Sequence, residues 1–114
     1  MRIALSTNWN AARHEAGELL VDEILGMGFD ALELGYLTTE ELAAGVRRKV
    51  EAGEVVVDSV HAFCPVPLGA PHGYPELYLL ASKDDDDRAM AAIMLRRTLE
   101  FGASIGARAV VLHA

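Results

Sequence analysis

The sequence predicts an α/β fold whose strands pair in parallel, and three observations carry that reading. Short apolar runs alternate along the chain with longer segments whose apolar residues recur at helical spacing. The clearest run, Val55 to Val60, is continuous rather than strictly alternating, as expected of a strand covered on both faces. Two of the runs, the third and the fourth, end on histidine, His61 and His113. Strands separated by helices imply parallel pairing through right-handed crossovers.

Met1 to Thr7 alternates weakly and predicts a first strand of about five residues. Asn8, Trp9 and Asn10 follow in a loop. From about Ala12 to Met27, Ala16, Leu19, Leu20, Ile24 and Leu25 fall at three- and four-residue spacings and predict an amphipathic helix. Gly26 and Gly28 punctuate its end. Phe29 to Gly35 reads as a second strand with one charge, Glu33, near its C-terminal end. Thr38 and Thr39 are N-cap candidates for a helix from Glu40 to about Ala52, which Gly53 stops.

The third strand runs from Glu54 to His61. It finishes there because Pro65 and Pro67 cannot donate to a ladder. Phe63 to about Lys83 holds four prolines and reads as a long loop, of the kind used as lids or binding loops. Asp84 to Asp87 reads as the acidic first turn of a helix rather than as a site. Ala89, Ile93, Leu95, Leu99 and Ile105 give that helix its apolar side, and Gly106 precedes a fourth strand over Gly106 to Ala114.

A length of 114 residues with 52% hydrophobic side chains supports a single domain, 1–114, with a core. The formal charge of −7 argues against a nucleic-acid partner, since phosphate binding relies on clustered lysine and arginine. One cysteine, Cys64, forms no internal disulfide and reads as a buried thiol. The apolar start gives way at once to polar residues, and no apolar stretch approaches a membrane span, so a cytoplasmic protein with no membrane partner is expected. "GMG" follows a helix rather than a strand and fails the dinucleotide-loop context.

Two architectures fit this order: an open doubly wound sheet, or part of a (β/α)8 barrel. The stretches "MRIALSTNWN", "GFDALELGY", "VVDSVHAFCP" and "DDRAMAAIMLRRTLEFGASIGARAVVLHA" resemble the amino-terminal half of the xylose-isomerase-like TIM barrel superfamily, which holds sugar isomerases and epimerases and the type IV AP endonucleases. The resemblance covers the whole chain. A complete barrel of this class takes about 250 residues, so it implies a barrel truncated to about the first four parallel strands. It also implies a small-molecule carbohydrate substrate and, for the complete barrel, a divalent metal ion (Zn, Mn or Mg), with weak or no metal binding expected of this chain alone. A fragment of this kind is expected to be inactive alone. The alternatives are an AP-endonuclease-like metal-dependent phosphodiesterase and a non-catalytic assembly unit.

The candidate site follows from strand polarity, because parallel strands put their C-terminal ends on one edge. His61 and His113 are expected to converge there with Glu33 and the 63–83 loop. By the resemblance, His61 and His113 match histidines that are zinc ligands in the endonuclease branch and bind substrate in the epimerase branch. Their plain alternative is a hydrogen-bonded rim residue. Glu33 is the candidate catalytic base, or a solvated strand-end acid. Asn8 and Trp9 resemble the polar and aromatic lining of sugar pockets in the superfamily. His14 and His72 read as surface residues. A parallel sheet with helices on one side leaves a face and two edges uncovered, and a homo-oligomer is expected.

Overall fold

A computed structural model describes residues 2–114. Four strands, β1 (Leu5–Ser6), β2 (Ala31–Leu34), β3 (Val56–His61) and β4 (Ala109–Val111), form one parallel sheet in the order β1-β2-β3-β4. Between them run three helices, α1 (Gly17–Gly26), α2 (Glu40–Glu51) and α3 (Asp85–Ser104). The unbroken strand order is not that of a doubly wound sheet, in which the order reverses and helices cover both faces.

All three helices pack side by side on one face. Leu20, Val21 and Ile24 of α1 and Leu42 and Val46 of α2 share a buried cluster with Leu32, Leu34, Val57 and Val60 of the sheet. Ion pairs staple the outside: Arg48 to Glu18 at 2.8 Å and Lys49 to Asp22 at 2.7 Å join α2 to α1. Arg47 reaches α3, where it donates to the Ser104 hydroxyl at 2.8 Å and covers the Phe101 ring.

Several elements are shorter than the sequence predicts, each for a local reason. β1 is limited to Leu5–Ser6, the two residues that pair with Leu32 and Glu33, and it stops there because the Ser6 hydroxyl accepts the Asn8 N–H and turns the chain into a 3-10 turn over Thr7–Trp9. The helix expected from about Ala12 begins only at Gly17, since Asn10, Arg13 and His14 bond instead to Glu23 of α1. α2 agrees closely with expectation: the Thr39 hydroxyl accepts the Leu42 N–H at 3.2 Å, and Gly53, at φ +75°, ends the turn that follows. α3 is capped by Asp84, whose carboxylate accepts the Asp86 N–H at 3.0 Å.

β4 ends at Val111, so His113 lies two residues beyond the ladder rather than on its last rung. There the backbone pairs with the long loop instead, Ala81 donating to the Ala114 carbonyl at 2.9 Å.

The register between β2 and β3 slips once, after Leu32 and Val57, so that Ser59 rather than Asp58 stands opposite Glu33. An unslipped pairing would set two carboxylates face to face, which is unfavourable. The extra residue turns Asp58 toward Arg108, which donates to it at 2.8 Å. It also puts Ser59 and His61 on the same side as Glu33.

Candidate functional site

That side is the face away from the helices. Val60, the neighbour of Ser59 and His61, points the other way, against α3 at Gly102. Glu33, Ser59 and His61 therefore gather on the uncovered face, near the C-terminal ends of β2 and β3, with His113 arriving from beyond β4.

The Ser59 hydroxyl donates to Glu33 Oε2 at 2.6 Å and fixes the carboxylate. Glu33 Oε1 lies 3.8 Å from His61 Nδ1, close enough for charge to act but too long for a hydrogen bond. Tyr36 meets the His61 ring edge-on at a centroid distance of 5.1 Å, and the His113 ring lies against it at 5.3 Å. From the long loop, Glu76 Oε1 sits 3.2 Å from His113 Nδ1. His61 Nε2 is buried with no partner.

Burial disfavours the charged imidazole, and the neighbouring His113 adds to this, so the His61 pKa lies below its usual 6.5 although Glu33 opposes the shift. The consequence for stability has a definite sign. An imidazole whose pKa is lower folded than unfolded contributes stability above about pH 6.5, lost as pH falls through the folded value. Thermal melts of the wild type should therefore drop as pH falls below about 6.5, and His61→Asn should flatten that part of the profile. Equal slopes in the two proteins would refute the assignment.

Of the residues singled out in the sequence, the structure brings Glu33, His61 and His113 together, with the 62–84 loop at the same end. Asn8 and Trp9 take other places. The Asn8 amide oxygen accepts the Leu37 N–H at 3.3 Å and lies where a Cβ on Gly35 would overlap it, so Asn8 braces the turn after β2. Trp9 is 44% exposed and stacks under the Arg13 guanidinium, 4.6 Å from its centroid. Arg13 in turn chelates Glu23, so Trp9 belongs to a contact set centred on α1. His14 is not a free surface residue: its Nε2 lies 2.8 Å from Glu23 Oε1. That bond, followed by those from Asn10 and Arg13, holds the Glu23 carboxyl down at about 2. Cys64 is buried, and desolvation pushes its thiol up to about 12, out of nucleophilic range.

Tyr36 and Glu76 escape a reading of the sequence. Tyr36 follows Glu33 by three residues past the strand end, a spacing that could have marked it. Glu76 comes from a loop whose path no periodicity encodes.

Chemically, the group offers a carboxylate with one oxygen anchored and one free, a neutral imidazole with an unpartnered nitrogen, and a second imidazole. Such a set can accept hydrogen bonds from hydroxyls and move a proton between carbon and oxygen. A divalent metal fits it poorly. Among the described residues no group of three or more His, Cys, Asp or Glu side chains could hold an ion, and two imidazoles underfill a zinc site. No helix among the described residues is long and apolar enough to cross a membrane. No family model, curated protein or solved structure matches the chain.

Proposed function

We propose that this chain is a sugar or sugar-phosphate isomerase/epimerase-like protein, carrying the amino-terminal half of a (β/α)8 barrel and part of its carbohydrate-binding rim. The observation that supports this most is the meeting of Glu33, Ser59, His61 and His113 on the uncovered sheet face near the strand C-termini. In barrels of this kind chemistry sits at that end. The sequential strand order with helices on one face is what half of such a barrel requires.

In this reading Glu33 is the proton acceptor beside a carbonyl carbon, held in aim by Ser59. Neutral His61 lines the rim beside it, its ring packed against that of His113 and its unpartnered Nε2 buried. The residues of this chain alone bind sugar rather than turn it over, because proton transfer beside a carbonyl also needs something to stabilise the oxygen.

The test is a titration of the histidine ring signals by NMR with D-fructose and, separately, with DNA containing an abasic site. The ketose should shift His61 and His113 and leave His72 unmoved, at concentrations on the order of millimolar. Glu33→Gln should weaken that response. A response to the DNA alone would favour phosphodiester chemistry, which the formal charge of −7 opposes. Silence with both would favour a purely structural unit.

A further inference from the structure

We propose that Glu76 is a positioning residue that fixes which nitrogen of His113 carries the proton, so that the 62–84 loop prepares the rim for its ligand. This deepens the carbohydrate-binding reading and rests on it for its purpose, but not for its test.

A neutral imidazole has one N–H, and its location is set by what the ring nitrogens face. Glu76 Oε1 stands 3.2 Å from His113 Nδ1. An ionised carboxylate only accepts, so the favourable pairing puts the proton on Nδ1 and leaves the lone pair on Nε2. An unpaired histidine in water favours the opposite arrangement, with the proton on Nε2. Carboxylates that orient histidines at metal and catalytic sites act by the same logic. The ring is held for this from two further directions. His61 packs on it at 5.3 Å, and the Ala81 N–H bonds the carbonyl of the next residue, Ala114.

The loop carrying Glu76 is itself tied down. Phe63 and Tyr78 pack edge to face at 5.8 Å, and the Leu79 N–H donates to the Asp87 carboxylate at the start of α3 at 3.2 Å. Glu76 thus reaches His113 from a frame anchored just past it, at Tyr78 and Leu79. The result is a rim on which Nε2 of His113, freed by Glu76, can accept from a ligand hydroxyl, beside the His61 ring, whose own Nε2 is buried.

Long-range proton–nitrogen NMR correlations read the tautomer directly. They should be recorded at a pH where the imidazoles are neutral, on the uniformly labelled protein without ligand. His113 should be mainly the Nδ1–H form in the wild type and mainly the Nε2–H form in Glu76→Ala, while Glu76→Gln, which keeps an acceptor oxygen, retains part of the Nδ1–H population. His72 should not change. Glu76 is half-exposed and among the described residues pairs only with the His113 ring, so the substitutions should leave the fold intact. A wild-type His113 carrying its proton on Nε2, or a tautomer unmoved by Glu76→Ala, overturns the proposal. A protein that shows the tautomer switch yet never responds to D-fructose would instead refute the carbohydrate reading alone.

Discussion

Gly17→Ala should destabilise the protein by about 3 kcal/mol, the upper end of what overpacking costs, and lower its melting temperature by roughly 10 °C. On propensity alone the substitution looks favourable, since alanine exceeds glycine in a helix by up to about 1 kcal/mol. Packing reverses the sign. A Cβ on Gly17 would stand 2.6 Å from the Val46 nitrogen and 2.9 Å from the Gly45 carbonyl carbon, and would overlap the Leu42 carbonyl oxygen. These are backbone atoms of α2, and no rotamer change relieves the clash. The two helices touch backbone to backbone here, Gly45 meeting Gly17 from the other side. Gly26→Ala, in the same helix but with nothing within 4 Å of the new atom, should be neutral or stabilising by a few tenths of a kcal/mol. Urea unfolding of the two variants side by side decides the matter, and a Gly17→Ala protein as stable as wild type would refute this account of the helix contact.

That contact illustrates what a sequence does and does not disclose. Helical spacing in 12–27 correctly announces α1, because period follows from which residues must face a core. It does not announce the late start. Asn10, Arg13 and His14 are individually compatible with a helix, and only the position of Glu23 in three dimensions draws them into other bonds. α2 was legible to within a residue at its N-terminus because Thr38 and Thr39 both carry a capping signal, of which Thr39 caps and Thr38 bonds the Gly35 carbonyl instead.

The site divides in the same way. Strand polarity is a property of the βα alternation, so the meeting of Glu33, His61 and His113 could be read from the chain. The slip that aligns Ser59 with Glu33 could not, since Asp58 and Ser59 are both hydrophilic and either could follow Val57 on the strand, and only the cost of opposing carboxylates selects between them. Trp9 shows the limit of resemblance. An aromatic after a first strand is compatible with a sugar pocket, but here it carries the Arg13 cation from the next 3-10 turn.

Self-association should be the most visible property of the protein in solution. The sheet has helices on one face only, and its other face carries polar Glu33, Ser59 and His61 flanked by apolar Val56 and Val111, exposed by 41% and 40%. On α3, beside the β4 edge, Ile93 and Leu99 are more than half exposed. β1 and β4 are edges with unpaired backbone groups, which recruit further strands unless blocked. A second copy satisfies all three features at once when β4 of each chain pairs with β1 of the other, closing an eight-stranded parallel ring with helices outside. The open faces then become the packed interior, the C-terminal rims coincide, and both His113 residues lie near the subunit boundary. Sedimentation equilibrium from micromolar to near-millimolar concentration should show a dimer. Val111→Lys should shift it toward monomer by 10-fold or more in dissociation constant, because a loss of about 1.4 kcal/mol already gives that factor. The same substitution should leave the monomer fold intact, as Val111 is substantially exposed there. A wild-type chain that remains monomeric across the whole range would sink the ring, and with it the half-barrel reading of the uncovered face.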